Sequence, residues 1–331
     1  RPFELLRHKV PDVFGRRKKH VVGCDVGSSA IKIVELKPLK NEEFQLVHAA
    51  VAELSPEAIV DGAIMDSSLV VEALTGLISE NGIKSTKFGG SLSGHSVIIK
   101  KIQLPSMTEA ELAESIQWEA EQYIPFDIND VNLDYVVLEG GGSDTMDVLL
   151  VAVKKDRIND YTSVIVQAGK EPVLVDVDVF SVQNAYETNY SSPDETVALV
   201  NVGASVMNIN VLNNGNSVFW RDVAFGGNLY TEAIQREFNL PREDAERLKL
   251  GEQVGNHSKQ QVDSVLNAAS EDLAAELQKT VDFFVATSAV DRLDRVMLSG
   301  GGALVENLDS VLQERFQVNV ELLNPFRNIR Y

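Results

Sequence analysis

Several short stretches carry residues whose types and spacing suit phosphate chemistry. In the first, Asp25-Val26-Gly27-Ser28-Ser29 is followed by Lys32, seven residues after the aspartate. A glycine at a hairpin tip lets the backbone approach a ligand closely, successive N–H groups cradle phosphate oxygens, and Ser28, Ser29 and Lys32 add donors. Asp25 is then the candidate ligand for Mg2+, directly or through a water. In isolation, D-x-G-S reads equally well as a tight turn with a solvated Asp and Lys. It is not isolated here: Cys24-Asp25-Val26-Gly27-Ser28-Ser29 matches Val200-Asn201-Val202-Gly203-Ala204-Ser205 at a constant offset of 176 residues. Two such hairpins facing each other would hold the β- and γ-phosphates of one nucleotide from both sides. Gly226-Gly227 ahead of a helix, and Gly300-Gly301-Gly302 between a strand and a helix, are further places where bare backbone and a helix N-terminus meet a ligand. Each of these alone is more simply a turn.

The second copy departs from the first. Asn201 stands where the first hairpin has Asp25, and an amide ligates Mg2+ through its carbonyl but adds no charge and takes no proton. Asp25 is thus the one carboxylate of the two tips. That suits binding better than hydrolysis, which also needs a group to position water. Asp176 and Asp178, two apart at a strand end, are candidates for that role, with Asp178 the catalytic one; the competing reading of Asp178 is a helix N-cap ahead of residues 179–190.

The elements that must position these residues follow from the apolar period. Three β-rich runs over 21–26, 30–36 and 44–54, broken at Gly27-Ser28-Ser29 and Lys40-Asn41-Glu42-Glu43, predict an antiparallel meander. A helix is expected over 67–80, stopping at Asn81-Gly82. A new module then begins with a strand over 96–104. Thr108 and Glu111 form a candidate capping box, after which Leu112, Ile116, Ala120 and Tyr123 recur at helical spacing until Pro125. Strands over 133–138 and 147–153 flank Gly140-Gly141-Gly142, followed by a helix near 156–168 and a strand over 172–176. From Thr196 the first pattern returns. Beyond it come a short helix after Gly227, an acidic helix over 242–249, and a long amphipathic helix with Val262, Leu266, Ala269, Leu273, Leu277, Thr280 and Phe284 on one core-facing stripe. The chain closes with a strand over 295–298, the glycine turn, a helix over 303–314 and a strand over 318–323. The fold class is α/β, and the repeat implies two related domains.

Composition narrows the function. A chain of 331 residues with 44% apolar content builds two or more subdomains around a sizeable core. Acidic residues outnumber basic ones 49 to 30, and the net charge of −19 opposes binding to phosphate backbones, so no nucleic acid is expected as a partner. Residues 1–20 hold seven Lys/Arg against Glu4 and Asp12, a net of +5, which leaves −24 for the rest. This basic leader reads either as a solvated segment or as one that approaches an anionic membrane surface, and Pro2 and Pro11 interrupt it as a helix. The single cysteine, Cys24, forbids an intrachain disulfide and reads as a buried thiol in a reducing compartment, the cytoplasm. No apolar run approaches the roughly 18 residues of a membrane span. The sequence contains no H-E-x-x-H, G-x-S-x-G or G-x-x-x-x-G-K-[ST], so zinc, serine-hydrolase and P-loop chemistry lack their carriers.

The order Asp25-x-Gly27-Ser28-Ser29-x-x-Lys32, Asn201-x-Gly203-Ala204-Ser205, Gly226-Gly227, Glu246-x-x-Lys249 and Ser299-Gly300-Gly301-Gly302-Ala303 resembles the phosphate and adenosine motifs of the superfamily joining actin, heat-shock chaperone ATPases and sugar kinases. Within it the chain is similar to the PilM family of type IV pilus assembly, over roughly residues 20–325. Lys101-Ile102-Gln103-Leu104-Pro105 and Glu121-Gln122-Tyr123-Ile124-Pro125-Phe126 are the stretches most specific to that family. The resemblance implies a two-lobed actin-like ATPase fold with an FtsA-like 1C subdomain. Its boundaries are a leader over 1–20, subdomain 1A over 21–85 and 171–195, 1C over 86–170, and 2A and 2B over 196–331. It implies ATP with Mg2+, Glu246 and Lys249 toward the ribose and base, and Gly300, Gly301 and Gly302 toward the adenosine. It also implies a cytoplasmic protein, peripheral at the inner membrane, that binds the N-terminal cytoplasmic peptide of PilN through residues 96–138 and the first meander. Other alignment-complex proteins and pilus motor components are further implied partners. An FtsA-like filament protein and a sugar-kinase-type phosphotransferase share the hairpins and stay open as alternatives.

Overall fold

The computed structural model describes residues 21–40, 43–60, 62–138, 144–190, 194–288 and 290–331. The basic leader and Gly140-Gly141-Gly142 lie outside the described residues. The chain divides into two compact units, residues 1–181 with 328–331, and residues 182–327.

The first unit opens with the expected meander, β1 (Val22–Val26), β2 (Ala30–Pro38) and β3 (Phe44–Glu53), each antiparallel to the next. A two-residue ladder, β4 (Ile59–Val60) with β5 (Ala63–Ile64), leads into α1 (Ser67–Glu80). The Asp66 carboxylate starts α1 by accepting from the N–H groups of Ser68 and Leu69, and Gly82 at φ +62° ends it. Strand β6 (Lys87–Leu92) then pairs parallel to β1. A separate three-stranded antiparallel sheet follows, built from β7 (Val97–Pro105), β8 (Val131–Leu138) and β9 (Thr145–Lys154) with β9 central. Helix α2 (Glu109–Glu121) covers it through Leu112, Ile116 and Ala120, and carries the predicted Thr108/Glu111 capping box. Tyr123 leaves the stripe and is 40% exposed. The chain has left the helix by then, and Ile124, 6% exposed, takes the buried place. Helix α3 (Lys155–Gln167) packs on α1 and on β10 (Glu171–Val177), which pairs parallel to β6. Strand β6 is thus part of the five-stranded sheet, while β7 to β9 form a three-stranded module of their own.

Helix α4 (Asp178–Asn189) carries the chain across the boundary at Ser181. The second unit repeats the meander as β11 (Thr196–Val202), β12 (Met207–Asn213) and β13 (Asn216–Val223). Helices α5 (Asn228–Phe238), α6 (Arg242–Lys249) and α7 (Lys259–Thr287) follow; all seven residues of the predicted α7 stripe are buried. Strand β14 (Arg295–Ser299) pairs parallel to β11, and β15 (Asn319–Leu322) parallel to β14. The helix expected over 303–314 is divided: a 3-10 turn (Gly301–Leu304) precedes α8 (Leu308–Phe316), because Asn307 adopts φ +67° and breaks the helical run.

The duplication runs deeper than the two motifs. The sheets order as β10-β6-β1-β2-β3 and β15-β14-β11-β12-β13, with the same sense of pairing at every step. Strand β11 is apolar without alternation because both faces of its sheet are covered. Ala198, Val200 and Val202 pack into the α5–α8 core, while Val197 and Leu199 pack beside Tyr186 of α4. Among the described residues no helix is long and apolar enough to cross a membrane.

Candidate functional site

Both tips are closed by the same backbone bond. Gly27 N–H donates to the Ala30 carbonyl at 3.1 Å, and Gly203 N–H donates to the Val206 carbonyl at 2.9 Å, again 176 residues on. Register carries the match outward along each hairpin: Asp25 faces Lys32 across β1 and β2, and Asn201 faces Asn208 across β11 and β12. At the first tip this pair is an ion pair of 2.9 Å between half-exposed side chains. Lys32 Nζ lies 2.8 Å from where a Cβ on Gly27 would stand, so the ammonium sits over the turn. At the second tip the pair is neutral. Asn201 Nδ2 donates to Asn208 Oδ1 at 3.0 Å, Ser299 Oγ donates to Asn201 Oδ1 at 3.2 Å, and Asn208 Nδ2 donates to Asp222 Oδ1 at 2.8 Å. Neither Asn208 nor Asp222 lies in a motif of the sequence, although the 176-residue repeat, continued to Lys32, leads to Asn208.

The first unit brings further groups to its tip. Leu54 N–H donates to the Ser29 carbonyl at 2.9 Å, anchoring the turn to the end of β3, and Ser28 beside it is partly buried. Tyr161 of α3 is buried and donates its hydroxyl to the Cys24 carbonyl. Burial raises the Tyr161 hydroxyl well above its ordinary pKa, and the charges of Asp25 and Asp178 raise it further. Asp178 opens α4 as its first residue and accepts from Ser91 Oγ at 2.5 Å.

In the second unit the glycines converge on the tip. A Cβ on Gly226 would stand 2.5 Å from the Gly203 carbonyl oxygen and 2.7 Å from that of Ala204. One on Gly300, at φ +86°, would stand 2.3 Å from the Val202 oxygen, and one on Gly302 would stand 2.6 Å from Val202 Cγ1. Only bare backbone packs this closely. Gly301 differs, with nothing within 4 Å of its Cβ position. The first amides of the α5 turn serve the tip itself: Gly227 N–H donates to Gly203 and Asn228 N–H to Ala204, both at 2.8 Å.

A polar chain links this tip to α6. Asn228 Nδ2 donates to Ser205 Oγ at 3.1 Å, and Arg242 donates to Asn228 Oδ1 at 2.6 Å. Glu246 and Lys249, expected to face a ligand, pair with each other at 2.5 Å and share the buried Thr231 hydroxyl. Burial pushes the Glu246 carboxyl up, but Lys249, Thr231 and the charge of Arg242 outweigh it and hold the carboxyl below its ordinary value. Thr231, Asn228 and Arg242 carried no motif signal.

Taken unit by unit, the residues present suit phosphate oxygens at the level of donor chemistry. The first tip offers an accessible ammonium and carboxylate over a glycine turn, and the second a neutral glycine turn braced by amides. The family model for type IV pilus assembly protein PilM matches residues 23–331. Among solved structures, a PilM-PilN type IV pilus biogenesis complex is similar at 25% identity and a TM-score of 0.82, covering 95% of this chain and 91% of that one. The ethanolamine utilization protein EutJ from Carboxydothermus hydrogenoformans matches at 15% identity and 0.57, over 96% and 89% of the two chains. MreB5 of Spiroplasma citri bound to ADP matches at 14% identity and 0.50, over 94% and 93%. The last two likenesses are of fold, which is the actin-like ATPase fold. With the family model spanning nearly its whole length on that fold, the chain belongs to the PilM family of type IV pilus assembly proteins.

Proposed function

We propose that the chain is a nucleotide-binding scaffold of type IV pilus assembly that captures the N-terminal cytoplasmic peptide of the membrane protein PilN. The observation that carries this reading is the likeness, at a TM-score of 0.82, to a chain solved as a PilM-PilN complex. The peptide's place is the β7–β9 module with the β1–β3 meander, both within the first unit. On the same reading the protein works at the cytoplasmic face of the inner membrane, where other alignment-complex and motor proteins meet it.

ADP or ATP with Mg2+ is the proposed ligand, supported by the ADP-bound relative of the same fold. The metal would neutralise phosphate charge. Asp25 would face the metal and Lys32 the phosphates, each released from the other. Gly27, Ser28, Ser29, Gly203, Ala204 and Ser205 would supply the turns. Gly226, Gly227, Gly300, Gly301 and Gly302, with Glu246 and Lys249, would line the nucleoside end. Asn201 has both amide atoms engaged by Asn208 and Ser299, and it carries no charge to activate water. This favours retention of the nucleotide over turnover.

Calorimetry with a synthetic PilN N-terminal peptide tests the scaffold reading: saturable binding is expected, and no detectable heat would sink it. For the nucleotide, millimolar Mg-ATP should raise the melting temperature, and Gly203→Asp should abolish the rise, since its Cβ would stand 2.8 Å from the Val206 oxygen. An unchanged rise in that variant removes the second tip from the site.

A further inference from the structure

The acidity of this chain is concentrated. From Ile102 to Val153 there is no Lys, Arg or His, while Asp and Glu number 11, so this stretch carries −11 of the total −19. It is almost the whole of the β7–β9 module. Helix α2 holds five of these carboxylates, Glu109, Glu111, Glu114, Glu119 and Glu121, and among the described residues none of the five is ion-paired. Like charges at helical spacing repel, and the core does not require them, since Leu112, Ile116 and Ala120 already seat the helix.

On the outward face stands Trp118, 71% exposed, with no ring or cation packed on it among the described residues. Helical spacing places Glu114 one turn before it and Glu121 one turn after. Glu111 is occupied by the capping box, its carboxylate accepting from Thr108. Glu114 and Glu121 therefore bracket the indole, about 10 Å apart along the axis. An aromatic ring between two unneutralised carboxylates complements a segment carrying Arg or Lys with apolar neighbours: one cation stacks on the ring while others pair with the carboxylates.

We propose that the Trp118 face of α2 is a docking surface for a basic segment of a membrane-anchored partner. The partner class rests on the pilus-assembly reading above. Proteins held in the inner membrane carry an excess of Lys and Arg on the cytoplasmic flank of their membrane helix, the charge this face lacks. The surface shares no residue with the nucleotide tips and would add a second, electrostatic hold to whatever peptide the module engages.

The test uses the full chain carrying Trp220→Phe, so that emission reports Trp118 alone. The probe is a synthetic peptide of roughly a dozen residues repeating Arg-Leu-Lys-Gly, at about 50 mM salt. A saturable shift of Trp118 emission is expected. In calorimetry on the parent chain, binding should weaken about tenfold or more in Trp118→Ala and in the Glu114→Gln/Glu121→Gln pair. Trp118→Phe should keep most of the affinity, and Asp309→Asn/Glu314→Gln, the same charge change in the second unit, should stay within about twofold. Melting temperatures of these surface variants should match the parent. Equal binding by Trp118→Ala, or an equal loss in the Asp309/Glu314 control, overturns the proposal by showing diffuse attraction. The two readings separate on the PilN peptide. If it binds while the basic probe does not, this surface alone is refuted; if the probe binds and the PilN peptide does not, the partner assignment alone falls.

Discussion

At single residues, the two tips show how one backbone turn is kept while its charge is changed. Asp25 and Lys32 become Asn201 and Asn208 at the same register, and Asp222 and Ser299 hold the amides in place. The glycines beside the second tip make a sharp comparison. Gly300→Ala places a methyl 2.3 Å from a carbonyl at a positive φ, so denaturant unfolding should show a loss of about 2 kcal/mol or more. Gly301→Ala meets nothing within 4 Å and should stay within about 0.5 kcal/mol. A normal melting curve for Gly300→Ala would refute the packing account, and a loss of nucleotide affinity confined to Gly301→Ala would mark its open face as the ligand side. Cys24 offers a test in unit 1. Burial pushes its thiol up to about 12, the Tyr161 hydrogen bond lowers it somewhat, and the Asp25 charge raises it again. The thiol is protonated at neutral pH, so native labelling at pH 8 should be at least ~100-fold slower than in denaturant. Rapid stoichiometric labelling of the folded chain would contradict this.

Among the elements, local signals decide most of the outcome. The Thr108/Glu111 capping box was readable because both partners lie within one turn, and the structure forms both of its reciprocal bonds. Thr108→Ala should cost about 1 kcal/mol, measured by denaturant midpoint, and a shift below about 0.3 kcal/mol would mean α2 is held by its core contacts alone. The α7 stripe, the hairpins and the glycine turns were legible for the same reason: periodicity and turn chemistry are short-range. What escaped is long-range. No strand is expected from the sequence over Lys87–Leu92, and only parallel pairing with β1 and β10, distant in sequence, places β6 in the first sheet. The split of the last helix at Asn307 was hidden because Asn tolerates both helical and left-handed backbone. The candidate site divides likewise. Tip residues follow from motif spacing, whereas Asn228, Arg242 and Thr231 become visible only when α5 and α6 fold beside the tip.

Over the whole molecule, net charge and local charge act on the two proposed ligands in opposite directions. A Mg-nucleotide is an anion approaching a chain of −19, so the long-range field repels it while Lys32 attracts it at the tip. Salt screens the distant repulsion over a Debye length of about 10 Å at 0.1 M, and a contact pair is screened less. A basic peptide meets a module of −11 that attracts it at both ranges, and salt weakens both. Raising salt from about 50 to 300 mM should therefore weaken the peptide strongly, while nucleotide affinity stays level or tightens. Calorimetric titration of both ligands on the same preparation measures the two slopes. If the nucleotide weakens as steeply as the peptide, a local basic cluster beyond Lys32 dominates its binding and the tip assignment is incomplete. If the peptide ignores salt, its contacts are apolar and the carboxylates of α2 are bystanders.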